Sequence, residues 1–118
     1  MIYALHEGLR LVLEEGLEPR FARHRRVAER LEEKLTSLGF AYFAQAGYRL
    51  PMLNAVRPGK NLDIRQARQR LLSEYNIEVG GGLGPLKDQI WRIGLMGESA
   101  REENVDYLID ALGRIRKG

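Results

Sequence analysis

Apolar residues recur every three or four positions in four segments of the chain, a spacing typical of helices that bury one face. The first two segments are Ile2–Glu15 and Pro19–Leu38, and each is followed by a glycine, a residue that commonly ends a helix. Asp63 can cap the start of the third segment. Ser99 and Glu102 have the spacing of a capping box before the fourth. The pattern therefore predicts four helices.

The remaining apolar residues form four short runs of a length that suits strands. These runs are Phe40–Ala44, Leu50–Val56, Ile77–Gly80 and Gln89–Met96. Because they come in two pairs with short connections, the predicted order of elements is α-α-β-β-α-β-β-α. We expect a single α+β domain over residues 1–118, in which helices cover a small, mostly antiparallel sheet of three to four strands.

The composition excludes several classes of protein. The chain has 118 residues, of which 44% are apolar and 30% are charged, as in ordinary globular domains. It has no run of about 18 apolar residues and no signal sequence, so we expect a cytoplasmic protein without a membrane partner. Cysteine is absent, which excludes disulfides and Cys-based zinc sites. The net charge of +3 gives little support for a nucleic-acid partner.

A glycine-rich stretch, VGGGLGP, runs from Val79 to Pro85. Glycines permit positive φ angles and let the backbone approach a ligand closely. Such a run is the most unusual local feature of the chain. The stretch is not a Walker A loop, because no Gly-Lys-Ser/Thr ending follows. From the glycines alone, a wide hairpin turn between the third and fourth strands is the favoured interpretation.

Arg92 is the only charged residue in the apolar run Gln89–Met96. Alternate residues of a strand face opposite sides, so Trp91 and Ile93 would share one face and Arg92 and Gly94 the other. A buried, unpaired guanidinium is strongly unfavourable, so Arg92 must reach water or an anion. The planar fork of arginine suits a substrate carboxylate, and Gly94 would leave room beside it. Solvation, or pairing with a structural carboxylate, is the alternative.

Arginines crowd the second predicted helix, where they occupy five of the eleven positions from Arg20 to Arg30. A phosphate-binding face could explain them, but glutamates follow closely, and a solvated charged face is the favoured interpretation. His24 lies near the apolar face and is expected to be packed and hydrogen-bonded rather than catalytic. His6 is distant in the sequence, so no spacing typical of a metal site is present.

Three segments resemble the C-terminal small domain of class V, fold-type I aminotransferases, most closely the alanine–glyoxylate and serine–pyruvate branch. They are Tyr3–Arg25, Ile77–Gly97 and Arg101–Leu112, in the family's order. The most specific part is the Gly-Gly-Leu-Gly loop followed by Trp-Arg-Ile-Gly-Leu-Met-Gly. The resemblance implies an enzyme that exchanges an amino group between a small amino acid (alanine or serine) and a 2-oxo acid (glyoxylate or pyruvate).

The same resemblance implies that Arg92 binds the α-carboxylate of the amino or oxo acid. It also implies that the glycine loop lies near the active site, which makes its residues candidates for an active-site loop, namely Gly80, Gly81, Gly82, Leu83 and Gly84. It implies that the cofactor, pyridoxal 5′-phosphate, is held by a large domain that precedes this one, because none of the four lysines lies in the family's cofactor-lysine motif. No catalytic, cofactor-binding or metal-binding residue is therefore expected in this chain. Its expected partners are its own large domain and, in the full-length enzyme, a second copy in a homodimer. Alone, the chain should be inactive.

Two other functions stay open on the sequence. A free-standing module could bind an amino or oxo acid without catalysis, and the Arg20–Arg30 segment could bind a nucleic acid. If the chain is one part of a longer protein, an apolar face should be exposed where the other part docks. The first helix is the best candidate for that face, and its start has no capping residue.

Overall fold

A computed structural model describes residues 1–117, which form four α-helices and a four-stranded sheet in the predicted order. The helices are α1 (Ile2–Glu15), α2 (Leu17–Ser37), α3 (Ile64–Tyr75) and α4 (Glu102–Lys117). The strands are β1 (Ala41–Tyr42), β2 (Leu53–Arg57), β3 (Gly80–Gly81) and β4 (Trp91–Gly94). Single 3-10 turns, at Gly84–Leu86 and Gly97–Ser99, flank β4 along the chain.

The sheet has the order β1-β2-β4-β3, and every pair of neighbouring strands is antiparallel. This arrangement confirms the predicted α+β class. All four strands are shorter than predicted, and β3 begins at Gly80 rather than at Ile77. The reason is that the backbone N–H of Ile77 donates to the carbonyl of Leu71 in α3, at 2.9 Å, so the chain follows the helix end before it joins the sheet.

One face of the sheet is buried beneath α2, α3 and α4. Val56, Trp91 and Ile93 lie on this face and are almost fully buried. The indole N–H of Trp91 donates to the carbonyl of Ile64 at 3.3 Å, which satisfies the one polar group of that side chain. The helices complete the core with apolar residues at helical spacing, namely Val27, Leu31, Leu35, Ala67, Leu71, Val105, Leu108, Ala111, Leu112 and Ile115.

The opposite face of the sheet is open. Leu53, Arg57 and Gly94 are exposed there, and Ala55 and Arg92 are half-buried. The prediction that helices cover the sheet is therefore correct for one face only. Within the part of the chain that the structure describes, the second face is left free for contacts with a ligand or another protein surface.

The helix caps follow the sequence at one of the two predicted positions. Asp63 caps α3 as predicted, since its side chain accepts a hydrogen bond from the backbone N–H of Gln66 at 2.8 Å. The predicted capping box at Ser99 is wrong. The Ser99 hydroxyl donates to the carbonyl of Met96 at 2.7 Å, within the 3-10 turn, and α4 begins only at Glu102.

Two arginines on the exposed face of α2 pair with acids of the neighbouring helix. Arg26 binds Glu102 at 2.9 Å, and Arg30 binds Asp106 at 2.9 Å. Each pair joins α2 to α4. Because these pairs are substantially exposed, each contributes little to the stability of the fold. They set the alignment of the two helices more than they stabilise the core.

Arg23 is the exception on α2, because it is 5% exposed and its charge is enclosed. Its guanidinium donates to Glu15 at 2.6 Å and to the carbonyls of Gly97 and Ala100, at 2.9 and 2.7 Å. The hydrogen bond from Arg23, together with that from Arg20, lowers the pKa of the Glu15 carboxyl to about 2. This cluster fixes the end of α1 to α2 and to the segment after β4.

We expect Glu15→Gln to lower the melting temperature at pH 7, because the folded state then loses its paired carboxylate. A lowered pKa stabilises the fold above the ordinary value near 4.5, and that stabilisation disappears as the pH falls from 4.5 toward 2. The difference in melting temperature between the wild type and Glu15→Gln should therefore close over this range. Glu29→Gln, on the exposed surface of α2, is the control, and a difference that persisted at pH 2 would contradict the assignment.

Helix α1 contributes no buried residue to the domain. Its apolar stripe is open to solvent, with Leu5 63% and Leu9 54% exposed, as the sequence predicted for a face that docks on another surface. The helix is anchored chiefly at its end, through Gly16 and the contacts of Glu15. No helix within residues 1–117 is long and apolar enough to cross a membrane.

We expect the chain to self-associate weakly at high concentration through the stripe on α1. The double variant Leu5→Ser/Leu9→Ser should sediment as a monomer and keep the wild-type melting temperature within a few degrees, because neither leucine is buried. Ala4→Ser, off the stripe, is the matched control. A wild-type chain that sediments as a clean monomer at high concentration would rule this out.

Candidate functional site

Arg92 lies at the middle of the open face of the sheet, as the alternation of β4 predicted. It is paired across the sheet with Ala55 on one side and with Gly80 on the other. Its Nε–H donates to the carbonyl of Gly81 at 2.8 Å. Within residues 1–117, no carboxylate pairs with Arg92 and no other protein group accepts a hydrogen bond from it. Of the two structural alternatives, pairing with a carboxylate of this domain is not what the structure shows, whereas a solvated guanidinium is compatible with the half-buried side chain.

The hydrogen bond to Gly81 orients the Arg92 guanidinium. Because Nε is engaged, the two terminal nitrogens are the donors of this side chain that have no protein acceptor within residues 1–117. Two parallel N–H groups match the two oxygens of a carboxylate, and such bidentate bonds are shorter and stronger than neutral ones. The arrangement suits a small carboxylic acid that approaches the open face.

Glycines beside Arg92 keep the approach clear. A β-carbon at Gly80 would lie 3.4 Å from Nη2 of Arg92, so a side chain there would stand against the guanidinium. Gly94, two residues along β4, is exposed, but the methyl carbon of Met96 lies 3.3 Å from the place where a β-carbon would stand. The space that the sequence predicted at Gly94 is therefore partly filled by Met96.

The glycine stretch divides between a strand and a turn. Gly80 and Gly81 form β3, whereas Gly82, Leu83 and Gly84 belong to the connection that leads back to β4. A β-carbon at Gly82 would lie 2.1 Å from the carbonyl oxygen of Leu86, so only glycine allows the turn to close. The interpretation as a wide hairpin turn therefore describes the second half of the stretch. The first half borders Arg92.

Two adjoining cavities lie along this edge of the sheet. The smaller, of about 280 Å³, is lined by Arg92, Arg68, Lys87 and Asp88 together with residues 81–83. The larger, of about 670 Å³, extends from it along α3. Arg68 is distant from Arg92 along the chain, and the sequence pattern gave no sign that α3 would bring it to the same cavity. Lys87, five residues before Arg92, lies in the connection between β3 and β4.

Comparisons with known proteins agree with this fold. No family model matches the chain. The (S)-ureidoglycine–glyoxylate transaminase of Bacillus subtilis is 42% identical over 95% of the chain and 27% of its own length. The alanine–glyoxylate aminotransferase of Oryctolagus cuniculus is 41% identical over 94% of the chain and 29% of its own length. The crystal structure of an alanine–glyoxylate aminotransferase from Nostoc sp. superposes with a TM-score of 0.91, at 46% identity, over 96% of the chain and 30% of its own.

The chain is a homologue of the class V aminotransferases. It spans only 27% to 30% of the length of the relatives compared above. The chain therefore corresponds to under a third of each of those proteins. This share agrees with the expectation that it is one domain of a longer enzyme.

The lysines of this chain do not form a pocket for pyridoxal phosphate. Lys60, Lys87 and Lys117 are exposed, and Lys34 lies half-buried on the surface of α2. A lysine that carries the cofactor must be desolvated and placed beside groups that bind the phosphate and the ring. No lysine within residues 1–117 has such surroundings, so these residues do not fit a site that holds the cofactor.

His24 is a packed structural residue, as predicted. The backbone N–H of Gly97 donates to its Nε2 at 3.0 Å, so the proton of the neutral ring lies on Nδ1, which donates to the carbonyl of Arg20 at 2.8 Å. Both ring nitrogens are thus engaged with backbone. His24 joins α2 to the turn after β4 and is not free to act on a substrate.

We expect Gly82→Ala to lower the free energy of unfolding of the chain by roughly 1 to 3 kcal/mol, because the added methyl group would overlap the Leu86 carbonyl. Denaturant unfolding would measure the change. Gly113→Ala is the matched control: it lies in α4 with no atom near the added carbon, and it should stabilise the helix by about 1 kcal/mol. Equal effects of the two variants would show that the turn can relax.

Proposed function

We propose that the chain is the small domain of a pyridoxal-phosphate-dependent transaminase and that Arg92 binds the α-carboxylate of its substrates. The observation that carries the proposal is the free fork of Arg92, which is oriented by the Gly81 carbonyl and lies on an open face. The homology to class V aminotransferases supports the reaction class. The cofactor would be bound by a large domain outside residues 1–118.

The proposed substrates are a small amino acid, alanine or serine, and a small 2-oxo acid, glyoxylate or pyruvate. The names of the relatives support this class, since they act on alanine, ureidoglycine and glyoxylate. All such substrates share one α-carboxylate, and the fork of Arg92 reads only that group. The side-chain pocket would be completed by the surface that faces the open sheet.

Arg92 would act by orientation. A carboxylate held at two oxygens has its plane and direction fixed, so the bonds at the neighbouring carbon are aligned for reaction. Bound pyridoxal phosphate supplies the electron sink for the reaction of the amino acid. The open face of β4 would exclude water from the substrate once the other domain covers it. In the full-length enzyme we propose a homodimer as the working assembly.

A free-standing binding module is the second candidate, because the fork of Arg92 is complete within this chain. Such a module would bind an amino or oxo acid without converting it. The mass of the native polypeptide, detected with an antibody to this domain, separates the two functions. The transaminase requires a product roughly three to four times the 13.5 kDa of this chain, whereas the module requires 13.5 kDa.

In the native polypeptide we expect Arg92→Lys to raise the apparent KM for the oxo acid at least about tenfold, with a smaller effect on kcat. Lysine keeps the charge but cannot form two parallel hydrogen bonds, so the binding free energy of the carboxylate weakens by about 1.5 kcal/mol or more. Steady-state kinetics would measure both constants. Arg57→Lys is the matched control, since Arg57 lies on the same face but stacks on Phe43. An unchanged KM in Arg92→Lys would overturn the assignment.

A further inference from the structure

We infer that Arg68 and Lys87 form a second anion-binding site beside Arg92, which takes the distal carboxylate of a dicarboxylic amino or 2-oxo acid. The inference rests on the proposed function, because it assigns the first carboxylate of the same compound to Arg92. It extends the substrate class from small monocarboxylic acids to acids with a second negative group. The site is the cavity of about 280 Å³ at the edge of β3.

Gly81 is the residue that brings the two guanidinium groups together. Its carbonyl oxygen accepts the Nε–H of Arg92 at 2.8 Å. On its other side, Nη1 of Arg68 lies 2.1 Å from the place where a β-carbon would stand, so the Arg68 guanidinium rests directly on the glycine backbone. Both arginines therefore touch one residue, and both line the same cavity.

Arg68 and Lys87 form no ion pair with a carboxylate within residues 1–117. On the same helix, Arg65 binds Asp88 and Arg70 binds Glu74 at 2.7 Å. The Arg65 guanidinium lowers the pKa of Asp88, so this carboxylate is ionised and already engaged. Asp88 pairs with Arg65, and the charges of Lys87 and Arg68 lower its pKa further, so this one carboxylate faces three cations.

The charge balance of the cavities favours an anion. Arg65, Arg68, Lys87 and Arg92 line them with four positive charges, and the acids along the same walls are Asp88 and Glu78. Like charges gathered in a cleft raise the local positive potential, which concentrates anions there. Arg68 and Lys87 are exposed, so a ligand can reach them without displacing core residues.

The shared backbone contact explains why one ligand could engage both sites. A compound whose α-carboxylate sits on the fork of Arg92 passes around the edge strand β3, through the cavity that Arg92, Arg68 and Lys87 line together. A second carboxylate at the far end then meets Arg68 and Lys87. A monocarboxylic acid of equal length would leave these two cations hydrated and gain nothing from them.

The test compares two acids that differ in the distal carboxylate alone, 2-oxoglutarate and 2-oxopentanoate. Binding to the native polypeptide that contains this chain would be measured by calorimetry at low and moderate salt. We expect 2-oxoglutarate to bind at least about tenfold more tightly, with a ratio that decreases as salt rises. Equal affinity for the two acids would overturn the inference.

Variants separate this site from that of Arg92. In Arg68→Gln/Lys87→Gln the ratio of the affinity for 2-oxoglutarate to that for 2-oxopentanoate should fall to about one. The affinity for 2-oxopentanoate should remain that of the wild type. Arg70→Gln, on the same helix but paired with Glu74, is the matched control and should keep the ratio. A ratio that survives in the double variant contradicts the inference.

Arg92→Gln reports on the proposed function instead. This variant should weaken the binding of both acids, because both present an α-carboxylate to the same guanidinium. If Arg92→Gln left 2-oxopentanoate binding unchanged, the assignment of Arg92 would fail, and the second site would lose the anchor on which it depends. If Arg92→Gln weakened both acids but the wild type did not distinguish them, the assignment of Arg92 would stand and only the second site would fail.

Discussion

The alternation of strand β4 is the constraint on which the rest of the structure depends. Trp91 and Ile93 must be buried, because each removes a large apolar surface from water, and their burial turns Arg92 and Gly94 to the opposite face. A shift of the strand by one residue would bury the guanidinium and expose the indole. The packing of the core thus fixes the side on which the cation of the site is presented.

The segments that flank β4 are held as firmly as the strand itself. After the strand, Gly97 donates to His24 and accepts from Arg23, so the side chains of α2 bind the backbone of the turn. Before the strand, the close approach of Gly82 to Leu86 shapes the turn that returns from β3. Polar contacts at one end and glycine packing at the other keep Arg92 in place without using its terminal nitrogens.

The glycine stretch and the arginines show how one residue type serves different purposes. Gly80 and Gly81 leave space around two guanidinium groups, whereas Gly82 is needed only for the turn. On α2 the arginines pair with acids of α4 and fix how the helices align. On α3 and β4, Arg68 and Arg92 have no such acids, and this difference in partners marks the edge of β3 as the region that binds anions.

The sequence by itself determined the helices, the order of strands and the face of Arg92, because hydrophobic spacing of 3.6 or 2 residues is a local property. It also predicted the exposed stripe on α1 and the packed His24. It missed the start of α4, the burial of Arg23 and the proximity of Arg68 to Arg92. The last two depend on which residues meet across elements distant in the chain, and contacts across such distances leave no periodic signal. Tertiary structure alone decided which cations were neutralised and which were left free.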